Sequence, residues 1–156
     1  MSSEKSLTWN YYTKLIDKSA KNLIRSCPQL DFDSVYGIPR GGLIPATVLS
    51  YKLDKPLIFG SLSCYTQAII IDDILDSGNT ILNLLGSFYR WHDFYLIFLM
   101  SKPRGIDKLK GDDRFKSLAY CDFGKEVPDD VWINFPYEQN CLKEDSLSIV
   151  KKEEVR

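Results

Sequence analysis

Apolar and aromatic residues recur at helical spacing near the start of the chain: Trp9, Tyr12, Leu15, Ile16, Ala20, Leu23 and Ile24 share one face of a 3.6-residue period. Thr8 stands where an N-cap belongs and Pro28 falls just beyond the pattern, so the spacing predicts a helix between them. Ser34 to Ile38 reads as a short strand broken by Pro39-Arg40-Gly41-Gly42. Leu43 to Leu53 reads as a helix, with Pro45 tolerated because it lies in the first turn. Pro56 to Phe59 is a second strand, followed by a brief polar stretch from Gly60 to Gln67. The unbroken apolar run of Ala68-Ile69-Ile70-Ile71, ending in Asp72-Asp73, suits a central strand covered on both faces. A helix is predicted to open at Ser77-Gly78-Asn79-Thr80 and run to about Trp91, with further strands over Phe94 to Met100 and Leu118 to Phe123. Strands alternating with helices predict an α/β fold, a parallel sheet flanked by helices within one domain over residues 1–156. After Phe123 the pattern decays, and Asp145 to Arg156 reads as a charged, frayed tail.

Composition narrows the class. With 156 residues and 44% hydrophobic content, the chain can bury a core without disulfide or metal staples, which excludes disordered and low-complexity proteins. Twenty Lys+Arg against 21 Asp+Glu give a net charge of −1, an argument against nucleic-acid or membrane-surface partners, which need a basic excess. A small polyanion remains compatible, since its site needs only a few local groups. Cys27, Cys64, Cys121 and Cys141 are widely spaced, with no C-x-x-C pair to suggest zinc or redox chemistry. The polar N-terminus does not read as a signal sequence, and the apolar run from Tyr95 to Met100 is far too short to span a bilayer. A cytoplasmic, reduced protein is expected.

The chemistry concentrates in Ile69-Ile70-Ile71-Asp72-Asp73-Ile74-Leu75-Asp76-Ser77-Gly78-Asn79-Thr80. An apolar run that leads straight into two acids places both carboxylates at the carboxyl end of a central strand, the edge where open α/β sheets bind ligands. The small and hydroxyl side chains of Ser77 to Thr80 then open a helix, where free N–H groups and the helix dipole favour a phosphate. Carboxylates beside a phosphate repel it unless they bind sugar hydroxyls or Mg2+, so the combination suggests a ribose phosphate with metal. Acidic pairs at strand ends also occur in receiver-type domains, where they hold magnesium for aspartyl phosphorylation.

Two other places carry candidate groups. Gly41 and Gly42 expose backbone N–H groups beside the charged fork of Arg40, although an ordinary βα turn looks the same in isolation. Lys102 follows a strand end and Trp132 lies in the segment Pro128 to Tyr137; by themselves they read equally as a solvated lysine and a core aromatic. His92 follows a helix end and reads as an exposed residue.

The stretch from Ile70 to Thr80 resembles the phosphoribosyl-pyrophosphate (PRPP) motif of type I phosphoribosyltransferases. The resemblance covers about Thr8 to Tyr137, and its motif order is that of the short 6-oxopurine (xanthine-guanine) members. It implies that Asp72 and Asp73 hold the ribose hydroxyls and Mg2+, and that Asp76, Ser77, Gly78, Asn79 and Thr80 wrap the 5′-phosphate. Asp76 is implied as the catalytic residue that manages a purine proton, and Arg40 with Gly41 as the pyrophosphate loop. Lys102 would donate to the purine O6, Trp132 would stack on the base and Ile133 would present backbone groups to its edge. Asp129 or Asp130 would reach a second magnesium. The implied partners are PRPP and a 6-oxopurine base, in a homodimer or homotetramer.

In one respect the chain departs from that pattern. Family members carry a long flexible loop between the second and third core strands, and here only Gly60 to Gln67 stands there, with Ser63 and Tyr65 faintly similar to that loop's serine-tyrosine pair. Closure matters because displacement at C1′ passes through a cationic state that water would trap. Two readings therefore stand: a magnesium-dependent purine phosphoribosyltransferase, and a non-catalytic PRPP or nucleotide-binding protein that has lost its lid. The third, a phosphoaccepting receiver-like switch, leaves Arg40 and Trp132 unexplained.

Overall fold

A computed structural model describes residues 3–29, 32–62, 67–86, 88, 91 and 93–139. Ser63, Cys64, Tyr65, His92, Cys141 and the tail from 145 to 156 lie outside the described residues. In chain order the elements are β1 (Ser3–Ser6), α1 (Trp9–Ser26), β2 (Ser34–Gly37), α2 (Leu43–Leu53), β3 (Leu57–Ile58), β4 (Ala68–Leu75), α3 (Asn79–Leu85), β5 (Phe94–Ser101), α4 (Pro103–Lys110), a 3-10 turn (Asp113–Ser117), β6 (Tyr120–Asp122), β7 (Lys125–Glu126) and β8 (Val131–Asn134). The chain divides into two compact units, a smaller one from its two ends (up to Tyr12 and from Asp130 on) and a larger one over Thr13–Asp129.

The larger unit is built on a wholly parallel sheet in the order β3-β2-β4-β5-β6, with β7 pairing further along β5. All eight residues of β5 are buried and Ile69 to Ile71 of β4 are at most 1% exposed, as a strand covered on both faces requires. Register is set by the same apolar residues: Ile70 of β4 lies opposite Tyr36 on one side and Leu96 on the other. Ile70, Leu96, Phe98, Leu85, Ile106 and the fully buried Trp91 belong to one core cluster. The first two helices form where the sequence places their signals. Thr8 Oγ1 accepts the Tyr11 N–H at 3.2 Å as the α1 N-cap, and Pro45 falls in the first turn of α2.

Three differences from the sequence reading have physical causes. The helix expected to reach Trp91 stops at Leu85, where Arg114 N–H groups donate to the carbonyls of Leu85, Gly86 and Phe88 at 3.5, 3.2 and 3.0 Å. Those carbonyls are thereby satisfied without another helical turn. The second is α4, which has no counterpart in the apolar pattern because it buries little besides Ile106 and Leu109; its start is Pro103 at the first helical position. The third lies in the smaller unit, where β1 pairs in parallel with β8, Ser3 opposite Val131 through Ser6 opposite Asn134. Gln139 ties that unit together by donating to the carbonyls of Leu7 and Asn134 at 2.7 and 3.0 Å, and Tyr12 packs edge-on against Phe135 and Tyr137.

Cys27 and Cys121 are free thiols, and among the described residues no helix is long and apolar enough to cross a membrane. Because Leu96 is fully buried at the centre of the sheet, Leu96→Ala is expected to cost on the order of 2–5 kcal/mol in urea unfolding, measured by circular dichroism.

Candidate functional site

Successive residues of a strand face opposite sides, so the acids at the end of β4 part company: Asp72 is half-buried on one face and Asp73 is buried on the other. They remain coupled, because the Asp73 N–H donates to Asp72 Oδ1 at 2.9 Å. Burial first, and the adjacent Asp73 charge second, push the Asp72 carboxyl far above the usual carboxylate range. A cation bound at this end of the strand would offset both effects.

The turn after β2 is laid directly across that strand end. Ile38 N–H donates to the Ile71 carbonyl at 3.0 Å and Gly42 N–H to the Ile38 carbonyl at 2.8 Å. A Cβ at Gly41 would fall on the Asp73 carboxylate, so only glycine lets the turn approach the acid. Arg40, exposed and joined to Pro39 by a cis peptide, stands beside Gly41 at the mouth of this contact.

On the other face, an open cleft is lined by Asp72, Asp76, Ser77, Gly78 and Thr80 together with Phe98. One acid of the pair therefore shares a cavity with Asp76, Ser77, Gly78 and Thr80 of the turn. The turn is organised from within and from behind. Asn79 N–H donates to Ser77 Oγ at 3.4 Å, and Lys108 Nζ donates to Asn79 Oδ1. Behind it, α4 packs backbone to backbone, with a Cβ at Gly105 directed into the carbonyls of Asp76 and Leu75.

Lys102 is not a solvated lysine. It is 4% exposed, its N–H donates to the Leu75 carbonyl at 2.9 Å, and its ammonium lies 3.2 Å from Asp76 Oδ1. Arg104, at the start of α4, donates to the same oxygen through Nε at 3.0 Å and through Nη2. Partial burial raises the Asp76 carboxyl, but hydrogen bonds and charge from Arg104 and Lys102 outweigh it and hold the group below the usual range. Arg104 also engages Asp129, whose Oδ1 accepts the Arg104 backbone N–H at 3.2 Å and lies 3.8 Å from Nε.

Asp72, Asp73, Asp76, Ser77, Gly78, Asn79, Thr80, Arg40, Gly41 and Lys102 thus gather at the carboxyl ends of β2, β4 and β5, all within the larger unit. Trp132 and Ile133 lie on β8 in the smaller unit. There Trp132 is 58% exposed, which excludes core packing, and its indole N–H donates to Asn134 Oδ1 at 3.0 Å; Ile133 is buried. Asp130 is exposed in the same unit. Arg104 and Lys108 are additions that the apolar pattern could not supply, although Pro103 marks the short helix that carries them.

The donor set suits a hard divalent cation. Among the described residues no group of three or more acidic, histidine or cysteine side chains gathers, so Asp129 does not join Asp72 and Asp73 in a cluster. Two carboxylates are what Mg2+ ordinarily takes from a protein when ligand oxygens and water complete its shell.

Gly105→Ala is expected to destabilise the protein by roughly 1–3 kcal/mol in chemical denaturation, because the added methyl meets backbone that cannot swing aside.

No protein-family model matches the chain. The xanthine-guanine phosphoribosyltransferase of Idiomarina loihiensis is 22% identical over 138 residues, 74% of this chain and 77% of the relative. The purine phosphoribosyltransferase of Pyrococcus horikoshii superposes with a TM-score of 0.63 at 24% identity, over 90% of this chain and 98% of that one. A hypothetical protein from Neisseria gonorrhoeae, solved with bound ppGpp, gives 0.65 at 19% identity over 99% and 98% of the two chains. Likeness at this level of identity is likeness of fold: the chain has the type I phosphoribosyltransferase fold, as its motifs imply.

Proposed function

We propose that the protein transfers the phosphoribosyl group of PRPP to a 6-oxopurine base (guanine, xanthine or hypoxanthine), forming the nucleoside 5′-monophosphate and releasing pyrophosphate. One observation carries the reading: an acidic strand end and a hydroxyl-rich turn share one cleft, and that turn holds an acid paired to a buried lysine. In the reaction the C1′–O bond to pyrophosphate breaks with its electron pair leaving on oxygen, a C1′–N bond forms and the base gives up a proton. Asp72 and Asp73 would grip the ribose hydroxyls, and backbone N–H groups with Ser77 and Thr80 would take the 5′-phosphate. The guanidinium of Arg40 and the N–H of Gly41 would face the departing pyrophosphate. Asp76 would accept a hydrogen bond or proton from the base, and Lys102 would donate to its exocyclic oxygen, which is the ground for a 6-oxo base. Asp129 would reach a second metal, the role that the resemblance implies for it. Asp72 and Asp73, with ligand oxygens, would hold a magnesium ion, which would supply neutralising charge for the pyrophosphate.

A second reading, nucleotide binding without turnover, is favoured by the short connection between β3, which ends at Ile58, and β4, which starts at Ala68. The Neisseria gonorrhoeae neighbour was itself solved with bound ppGpp, which supports this reading.

Steady-state assays with PRPP, MgCl2 and each of guanine, xanthine, hypoxanthine, adenine and orotate decide between them. Turnover of a 6-oxopurine is expected, abolished by EDTA and reduced on the order of 10²–10³-fold by Asp73→Asn, which removes one preorganised charge at the reacting centre. Turnover only of adenine or orotate overturns the choice of base. Guanosine monophosphate binding with no turnover of any base establishes the second reading.

A further inference from the structure

The Asp76 carboxylate is held unsymmetrically. Three N–H groups on two cations converge on Oδ1: Lys102 Nζ at 3.2 Å, Arg104 Nε at 3.0 Å and Arg104 Nη2. Among the described residues no partner is found for Oδ2. Asp76 lines the cleft with Asp72 and Thr80. Arg104 is in turn tethered from the far side, by Asp129, which accepts its backbone N–H at 3.2 Å and pairs with its guanidinium at 3.8 Å. The Lys102 ammonium is buried and anchored at the end of β5, whereas the Arg104 side chain is half-exposed. The docking of α4 through Gly105 brings Arg104 up to the turn.

We propose that Arg104 is a positioning residue for this site: with Lys102 it saturates Asp76 Oδ1 and so fixes Oδ2 as a pure hydrogen-bond acceptor for a ring N–H of the ligand. A carboxylate fixed in this way accepts and does not donate. It selects a ligand that presents a donor at that point over one that presents a lone pair. Two cations are needed because each does a different part of the work. Lys102 supplies a compact charge from inside the core, and the planar fork of Arg104 sets the carboxylate's rotation. The charged groups facing Asp76 are Lys102, just after β5, and Arg104 from α4, with Asp72 lining the same cleft and Asp129 behind Arg104. Removing the guanidinium leaves Asp76 one cation fewer, so its carboxyl titrates at higher pH and its acceptor oxygen is no longer fixed.

The proposal rests on the function proposed above, and the test separates the two. The carboxyl carbon of Asp76 is titrated by 13C NMR in the substrate-free wild type and in Arg104→Ala, Arg104→Gln and Arg104→Lys. Ala and Gln are expected to raise the midpoint by about one pH unit, as loss of an opposite charge within hydrogen-bond distance does, with Lys restoring part of the shift. In turnover assays the same variants move the acidic limb of the kcat profile upward by the same amount and lower kcat roughly tenfold at neutral pH, with KM for PRPP unchanged. An unmoved Asp76 titration in Ala and Gln overturns the role of Arg104, as does Lys behaving no better than Ala. If the wild type turns over no base, the proposed function falls and the titration alone decides Arg104.

Discussion

The burial of β4 on both faces is the constraint from which the candidate site follows. Three isoleucines that must be dry hold the strand in the middle of a parallel sheet, so the chain can meet water and charge only where the strand runs out. Asp72 and Asp73 stand at that limit. Because strand residues alternate in facing, they address the two sides of the sheet at once, Asp73 toward the Gly41 turn and Asp72 toward the cleft before Thr80. One strand end thereby links the two loops that a phosphorylated sugar with two charged ends would need.

The same geometry explains why glycine and a buried lysine appear where they do. Gly41 lies against the Asp73 carboxylate and Gly105 against the carbonyls of Leu75 and Asp76, and at both places a side chain would separate surfaces that have to touch. Lys102 is a different kind of signal. Burying the Lys102 ammonium carries a desolvation cost that pairing with the partly exposed Asp76 largely just offsets, so the pair adds little to stability. Its presence opposite Asp76 at the carboxyl edge of the sheet is better accounted for by chemistry than by folding.

Much of this was legible in the residues. The apolar run of β4, the acids at its end, the glycine-bearing turns and the order of strands and helices are local patterns whose physical meaning does not depend on distant partners. The helix over 43–53 and the strand from 94 match their apolar stretches for the same reason. What was not legible depends on contacts between distant segments. The end of α3 at Leu85 is set by Arg114, nearly thirty positions away, and the strand over 131–134 exists because the chain's first residues pair with it. Neither partner leaves a mark in the pattern of the segment it shapes.

The candidate site divides along the same line. The sequence by itself determined which residue types stand at the strand ends: two acids, a hydroxyl-rich turn, Arg40 with its glycines and a lysine after β5. Periodicity and turn chemistry act over a few residues and can be read without coordinates. Only the tertiary structure decided that Lys102 is buried, that it meets Asp76, and that Arg104 and Lys108 of α4 hold the turn from behind. The physical reason is that an ion pair's existence depends on the distance and solvation of groups some thirty residues apart, and these are properties of packing that no single stretch of sequence contains.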